Sequence, residues 1–323
     1  MQKSSQNHFI FQSDISELIH SFTTVREGEN RIGEKLSGNW RDEDTKYVFI
    51  GIRESIGAQA NYGRKGAEKS FDAFLNFFCN MQITQEINHS KYACYGIIEA
   101  THDFNDIETS RKWVEELDDF VCQLIAPIID LGKIPIVIGG GHNNAYPLIK
   151  ASSNKFKEIA VVNMDAHADC RTLEGRHSGN PFSYAITQSI LKKYAVFGLH
   201  KAYNNEEMIR FLKKNQAQFS FFEEYVLGNK IFEDDLSSFL GSLNENEFLG
   251  VELDLDSIAC FPSSAMSPIG FTISDARSYL NRTKKFINVA YYHLTEAAVI
   301  ENQDERIVGK TLAQLVYDII SDL

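Results

Sequence analysis

Short apolar runs recur along the chain and alternate with segments in which apolar residues follow a helical spacing. The runs are rich in β-branched and aromatic residues and almost continuous in hydrophobicity, which is typical of strands buried on both faces of a parallel sheet. We therefore predict strands at YVFIGI (47–52), IPIVIGG (134–140), IAVVNMD (159–165), YAVFGL (194–199), FLGVELD (248–254) and FINVAYY (286–292).

The clearest helical pattern lies between Trp113 and Ile129, where apolar residues fall on one face and Gly132 follows as a stop signal. The same periodicity predicts helices over 67–78, 205–213, 272–281 and 309–322. Strands that alternate with helices form right-handed βαβ units, which place a helix layer on each face of the sheet. The chain is therefore predicted to be α/β, with one doubly wound, mostly parallel sheet in a single domain over 1–323.

Polar clusters follow three of the predicted strands, at the sheet edge where doubly wound folds bind their ligands. These clusters are GGGH at 139–142, DAHAD at 165–169 and ELDLD at 252–256. In an extended chain, side chains two residues apart point to the same side. We therefore expect Asp165, His167 and Asp169 to face one point, and Asp254 to share a side with Asp256.

Carboxylates that converge in this way raise one another's pKa values and are tolerated in the interior only when they are paired or bind metal. Two divalent cations would balance four carboxylates, and two imidazoles would complete the coordination. A ligand set of hard oxygen with some nitrogen and no thiolate suits Mn²⁺ and leaves Fe, Co or Ni open. Each motif alone could be a cap, a tight turn or a strand edge, but all three at successive strand ends favour a metal centre.

The bulk properties narrow the class of protein further. The 323 residues carry 32 Lys+Arg against 44 Asp+Glu, a net charge of −12, which argues against a nucleic-acid binder or a partner of anionic membranes. We find neither the pattern of a secretory signal nor an apolar run long enough for a membrane span. Five scattered cysteines without CxxC spacing favour a reducing compartment, and we expect the cytoplasm.

With these motifs in place, the sequence resembles the ureohydrolase family, which contains arginases, agmatinases and formimidoylglutamases. The resemblance covers most of the chain. Its anchors are GGGH at 139–142, DAHAD at 165–169, SGNPF at 178–182, the Asp254–Asp256 pair, Glu296 in HLTEAAV and, more weakly, NYGRKGA at 61–67.

The resemblance implies a three-layer α/β/α fold of the arginase type, a homo-oligomer, and two Mn²⁺ ions per chain, although other divalent metals are open. It also implies the ligands, which are His142 and Asp169 for the first ion, His167 and Asp256 for the second, and Asp165 and Asp254 for both. Such an ion pair lowers the pKa of water enough to give hydroxide near neutral pH. The implied reaction is hydrolysis of a C–N bond in an amidine or guanidine.

Five further residues are candidates for catalysis and substrate binding. Glu296 resembles the family glutamate that pairs with the cationic end of the substrate. Ser178 stands where arginases and agmatinases have histidine and resembles the formimidoylglutamase branch, while His177, one position earlier, could serve as the proton shuttle. Arg171 presents a planar fork that matches a substrate carboxylate, and Asn180 is a further substrate-binding candidate.

These features predict a formimidoylglutamase, which converts N-formimidoyl-L-glutamate and water into L-glutamate and formamide in histidine breakdown. Two alternatives stay open, namely a guanidine hydrolase such as an arginase, agmatinase or guanidino-acid hydrolase, and a catalytically silent metal-binding relative. The silent relative stays open because the sequence departs from the family pattern at two places. After Asp256, an Ala-Pro-Gly turn is replaced by SIACFPSSAMSPIGFT, and after Glu296, Asn-Pro is replaced by Ala297-Ala298. Arg176 is a second candidate for the substrate carboxylate.

Overall fold

The computed structural model describes residues 3–6, 8–101 and 106–322, with side-chain placement from residue 8 onward. Its strands are β1 (Lys3–Gln6), β2 (Phe9–Gln12), β3 (Tyr47–Arg53), β4 (Tyr92–Ala100), β5 (Ile134–Ile138), β6 (Ile159–Met164), β7 (Lys193–Leu199), β8 (Gln218–Phe221), β9 (Phe248–Asp254) and β10 (Val289–Thr295). Within the described residues they form one sheet in the order β1-β2-β4-β3-β5-β10-β9-β6-β7-β8. The pairs from β4 to β8 are parallel, and β1 and β2 add an antiparallel edge.

Helices cover both faces of this sheet. They are α1 (Ser16–Phe22), α2 (Ile56–Ala60), α3 (Ser70–Phe78), α4 (Ile107–Asp130), α5 (Ala145–Lys155), α6 (Pro181–Thr187), α7 (Glu206–Lys214), α8 (Phe222–Val226), α9 (Phe232–Gly241), α10 (Ile273–Thr283) and α11 (Asp304–Ile320). Side chains alternate across the central strands, so that Phe49 and Ile136 pack in one core cluster and Val48 and Val137 in the other. Two cores on opposite faces confirm the predicted three-layer α/β/α fold.

All six predicted strands are present, and the differences at their ends have local causes. The run predicted at 286–292 becomes a strand only from Val289, because Lys285 and Phe286 still donate backbone hydrogen bonds to the last turn of α10. The predicted helix at 309–322 begins earlier, at Asp304. The helix around Trp113 also begins earlier, after Asp106, whose side chain accepts the N–H of Thr109 as an N-cap.

Strand β4 was not predicted, and Gly96 explains why. This residue has a φ of 151° and marks an irregularity in the register with β3 that interrupts the apolar pattern. An added Cβ at Gly96 would lie 2.3 Å from the carbonyl oxygen of Gln12 on β2, so the position requires glycine for close strand approach.

The topology brings the polar clusters of the sequence to one edge of the sheet. Strands β5, β10, β9 and β6 are consecutive and parallel, so their carboxyl ends lie side by side. His142 follows β5, Glu296 follows β10, Asp254 ends β9 and Asp165 follows β6. Among the described residues, we find no helix with the length and apolar character needed to traverse a bilayer.

Candidate metal centre

The six side chains predicted as metal ligands meet at this edge and form two groups. In each group the possible ligand atoms lie within 4.8 Å of one another. The first group consists of His142, Asp165, Asp169 and Asp254, and the second group consists of Asp165, His167 and Asp256. Asp165 belongs to both.

In the first group, three carboxylates surround one imidazole nitrogen. Nδ1 of His142 lies 3.2 Å from Asp165 Oδ2, 2.9 Å from Asp169 Oδ2 and 3.0 Å from Asp254 Oδ2. This buried nitrogen nevertheless has no hydrogen-bond partner of acceptable geometry among the described residues. Buried polar atoms are nearly always satisfied, so the convergence of four donor atoms on one point fits a cation held between them.

The second group is more open to solvent. Nδ1 of His167 lies 3.1 Å from Asp256 Oδ2 and 3.7 Å from Asp165 Oδ1. The side chain of His167 is 28% exposed, whereas that of Asp165 is fully buried. The donor set of both groups is carboxylate oxygen and imidazole nitrogen, which fits the divalent cations expected from the sequence.

The convergence of these side chains comes from turns at the strand ends and not from the extended chain that the sequence suggested. β6 ends at Met164, before the motif, and Asp169 has a left-handed φ of 45°. Asp165 Oδ1 accepts the backbone N–H of His167 at 2.7 Å, and Asp254 Oδ1 accepts that of Asp256 at 2.8 Å. Each carboxylate is thus oriented by the backbone two residues later, as in an Asx turn.

His142 is positioned by a glycine-rich turn whose backbone donates a hydrogen bond to a buried glutamate, Glu54. Gly139 and Gly140 have φ values of 90° and 71°, which residues with a side chain rarely adopt. Oε1 of Glu54, at the end of β3, accepts the N–H of Gly141 at 2.9 Å and the side-chain amide of Asn144 at 2.7 Å. No motif in the sequence indicated this role for Glu54.

The concentration of carboxylates shifts the pKa values of the side chains in both groups. Burial lowers the pKa of an imidazole, yet the surrounding carboxylates hold the pKa of His142 and of His167 well above its usual value. Burial and neighbouring carboxylates raise the pKa of Asp169 to about 6 and that of Asp254 well above its usual range. Cations that bind here would displace protons from these imidazoles and carboxyl groups.

Glu296 lies beside the first group and lines a cavity that opens to both ligand groups. Oε1 accepts the backbone N–H of His142 at 2.8 Å, and Oε2 accepts the hydroxyl of Ser264 at 2.5 Å. Glu296 has a left-handed φ of 62° directly after β10, which is the kind of backbone strain found at functional sites. Burial raises the pKa of its carboxyl to about 7.

A cavity of about 330 Å³ opens above the two groups. Carboxylates lie on its inner wall and a single arginine, Arg171, lies among its described lining residues. The Arg171 side chain is 44% exposed, and Glu174 Oε1 accepts from its Nε at 3.2 Å and its Nη2 at 3.1 Å. Ser178, predicted to contact substrate, also lines the cavity.

Two other predicted residues lie behind the cavity wall. His177 is fully buried, its Nδ1 accepts the N–H of Gly179 at 3.1 Å, and its Nε2 lies 3.2 Å from Glu174 Oε1. Burial and the charge of Arg111 lower the pKa of His177 to about 4. The side chain of Asn180 is also occupied within the protein, because it donates to two backbone carbonyls of the same loop. Neither side chain lines the cavity.

Arg176 is likewise structural, which corrects its place as a second substrate cation. Its side chain is almost completely buried, and its Nε donates to Asp118 Oδ2 at 2.8 Å. Nη2 donates to the carbonyl of Asn143 at 2.9 Å, and the guanidinium lies over the rings of Tyr146 and Tyr184. A fully engaged, buried guanidinium cannot reach a ligand in the cavity.

The comparisons with known proteins agree with this geometry. A model of the arginase family matches residues 45–321. A formimidoylglutamase of Streptococcus pyogenes is 29% identical over 240 residues, which are 71% of this chain and 70% of that protein.

Two solved structures show the same fold. The structure of Trypanosoma cruzi formiminoglutamase with Mn²⁺ has a TM-score of 0.72 at 22% identity, covering 90% of this chain and 99% of that one. Formimidoylglutamase from Bacillus subtilis has a TM-score of 0.74 at 16% identity, covering 92% of this chain and 93% of that one. The family match spans most of the sequence, including every residue of the two groups, and the chain therefore belongs to the arginase family.

Proposed function

We propose that this chain is a binuclear-metal hydrolase that converts N-formimidoyl-L-glutamate and water into L-glutamate and formamide. The observation that carries the proposal is the pair of ligand groups sharing Asp165 beneath a cavity that also holds Glu296 and Arg171. The similarity to formimidoylglutamases supports the choice of substrate within the family.

The proposed centre takes one Mn²⁺ ion in each group. The first group would hold the first ion and the second group the second ion, and Asp165 would serve both. Asp254 lies in the first group, and its service to both ions is what the family resemblance implies. When bound, such a pair of ions supplies hydroxide near neutral pH and polarises the C=N group of the substrate. The T. cruzi relative was solved with Mn²⁺, and the hard oxygen and imidazole donors of this chain suit the same ion.

The protein side chains bind and orient the substrate. Glu296 presents a carboxylate that is fixed at both oxygens and can accept hydrogen bonds from a cationic amidinium. The pKa of about 7 for this buried carboxyl falls when a cation lies beside it, so pairing with the substrate favours the ionised form. Because His177 is occupied behind the wall, we propose that Glu296, and not His177, exchanges the proton with the departing amine.

The charges along the cavity match a substrate with opposite charges at its two ends. Carboxylates on the inner wall favour the amidinium, while Arg171 favours a carboxylate farther from the metal centre. N-formimidoyl-L-glutamate has this distribution, with an amidinium at one end and two carboxylates beyond it. Agmatine has a cation at both ends, so its distal ammonium would lie near the guanidinium of Arg171.

A substrate panel with the Mn²⁺-loaded protein tests the proposal. We expect glutamate and formamide from N-formimidoyl-L-glutamate, with little urea from arginine, agmatine or guanidino acids. Urea release without glutamate release would favour a guanidine hydrolase instead. Two bound metal ions without turnover of any amidine or guanidine would favour a catalytically silent relative.

The proposal includes the cellular compartment of the enzyme and the pathway that it serves. All five cysteines are free, which supports a reducing compartment such as the cytoplasm, where the reaction would serve histidine breakdown. The homo-oligomer and the single-domain assignment over residues 1–323 stay predictions.

A further inference from the structure

A buried polar cluster lies beneath His142, on the side of its ring that faces away from the carboxylates of the first group. Nε2 of His142 lies 3.5 Å from Glu252 Oε2 and, like Nδ1, has no hydrogen-bond partner of acceptable geometry among the described residues. The same oxygen lies 2.6 Å from Nδ1 of His293, and Glu252 Oε1 accepts the hydroxyl of Tyr291 at 2.8 Å. All four side chains are completely shielded from solvent.

The two central strands build this cluster together. Glu252 on β9 and His293 on β10 are register partners in the parallel ladder. Two residues before Glu252, Gly250 leaves room for the ring of Tyr291, since an added Cβ would lie 2.5 Å from that ring. Glycine at this position therefore allows the Tyr291 hydroxyl to reach across the strand to the carboxylate.

We infer that Glu252 is a positioning residue for the first metal site, acting through His142. An imidazole that binds a metal through one nitrogen usually donates its other N–H to a carboxylate, which fixes the tautomer and the ring orientation. Glu252 is the carboxylate that faces Nε2 of His142, so it would accept the N–H of Nε2 when Nδ1, which is directed at the first group, binds a metal. Tyr291 and His293 hold the Glu252 carboxylate in turn.

The same cluster does not fit a third metal ion. His142, Glu252 and His293 bring their donor atoms within 4.8 Å of one another, as a metal site requires. However, two ligands at about 2.1 Å from one tetrahedral ion lie roughly 3.4 Å apart. The 2.6 Å between Glu252 Oε2 and His293 Nδ1 is instead the separation of a strong, charge-assisted hydrogen bond.

The inference rests on the proposed metal centre but not on the choice of substrate, so metal binding tests it directly. We would remove metal from the full chain with a chelator and titrate Mn²⁺ by calorimetry in a His167→Asn background, which isolates the first site. Glu252→Gln keeps the shape of the side chain and should weaken this site by about 10- to 100-fold. Tyr291→Phe removes only one hydrogen bond to the carboxylate and should weaken the site less.

Tyr279→Phe is the matched control. Its hydroxyl donates to the backbone carbonyls of Glu252 and Val162 at 2.9 Å and not to the carboxylate, so its loss should leave Mn²⁺ affinity unchanged. Circular dichroism of the metal-free variants shows whether they fold. If Glu252→Gln does not fold, the Mn²⁺ affinity of Tyr291→Phe tests the role of Glu252 instead.

The outcomes separate this inference from the proposed function. Two Mn²⁺ ions in the wild type, with unchanged first-site affinity in folded Glu252→Gln, would overturn the role of Glu252 and leave the proposed function standing. Where Glu252→Gln does not fold, unchanged affinity in Tyr291→Phe would overturn it in the same way. A third bound ion that disappears in Glu252→Gln would also overturn it, in favour of a metal site in the cluster. A wild-type protein that binds no divalent ion would contradict the proposed function together with the inference.

Discussion

Asp165 links the two ligand groups, since its two oxygens face different imidazoles. Oδ2 lies 3.2 Å from His142 Nδ1, and Oδ1 lies 3.7 Å from His167 Nδ1. Asn163 and the backbone of His167 donate hydrogen bonds to these two oxygens and fix the plane of the carboxylate. Because both oxygens are fixed, the Asp165 carboxylate cannot rotate to replace a lost metal ligand nearby.

We therefore expect Asp165→Asn to lose both metal ions and all measurable activity. The amide has one oxygen and no charge, so each site loses a charged donor. Asp256→Asn is the control, because Asp256 belongs only to the second group and its loss should remove about one ion per chain. Metal content after gel filtration, measured by atomic emission, distinguishes the two variants, and equal metal content in both would contradict the bridging role of Asp165.

Arg171 provides a second test at the level of one side chain. A hydrogen bond to a charged group contributes about 1.5–3 kcal/mol, so Arg171→Gln should raise the KM for N-formimidoyl-L-glutamate by about tenfold or more. Metal content should stay at the wild-type level, because Arg171 belongs to neither ligand group.

Arg111→Gln is the matched control for Arg171. Arg111 also contacts Glu174, at 3.6 Å, but it does not line the cavity. Its replacement should leave the KM nearly unchanged. Equal KM values for the wild type and Arg171→Gln would remove the carboxylate-binding role and weaken the case for this substrate.

The secondary-structure elements explain which parts of the site were predictable from the sequence. Buried parallel strands give continuous apolar runs, so β5, β6 and β9 could be located and their polar ends identified as the site. The loop between Asp169 and α6 has no such periodicity. Sequence spacing alone could not show that His177 and Arg176 turn inward from this loop, while Arg171 stays at the cavity.

The inward turn of that loop depends on an ion pair with α4. Arg176 contacts Asp118 on this helix, and both side chains are almost completely buried. Removal of one partner leaves a buried charge unpaired, so we expect Asp118→Leu to lower the free energy of unfolding by about 3–5 kcal/mol. The double variant Asp118→Leu/Arg176→Met removes both charges and should be more stable than the single variant. Urea denaturation of the two proteins measures the difference, and an equally unstable double variant would contradict this view of the pair.

At the scale of the whole molecule, the metal centre joins four strands that come from distant parts of the sequence. β5, β10, β9 and β6 each contribute a site residue at or just beyond the carboxyl end. Ions bound only by the folded chain stabilise it, by about 2.7 kcal/mol per site at a free concentration one hundred times the Kd. Chelation should therefore lower the unfolding temperature, and restoring Mn²⁺ should recover it. If the unfolding temperature is the same before and after chelation, the ligand groups do not hold metal in the native protein.

The charges of the site also make metal binding dependent on pH, and the structure indicates that affinity falls as the pH is lowered. Without bound metal, the surrounding carboxylates hold the pKa values of His142 and His167 well above the usual value despite burial, which favours the protonated form of both imidazoles. A metal ion requires neutral imidazoles and ionised carboxylates, so binding two ions should release protons from His142, His167 and Asp254. Apparent Mn²⁺ affinity should therefore fall as the pH is lowered from 8 to 6, since protons compete for the same nitrogens.

Calorimetric titrations in two buffers with different ionisation enthalpies count the released protons. His167→Asn keeps only the first group intact, so it should bind one ion and release fewer protons than the wild type. Because Nδ1 of His142 faces the three carboxylates of the first group, loss of any proton on this nitrogen should accompany binding of the first ion in both proteins. Affinity that does not change with pH, or binding without proton release, would show that these imidazoles are already neutral and that the carboxylates of the first group are balanced in another way.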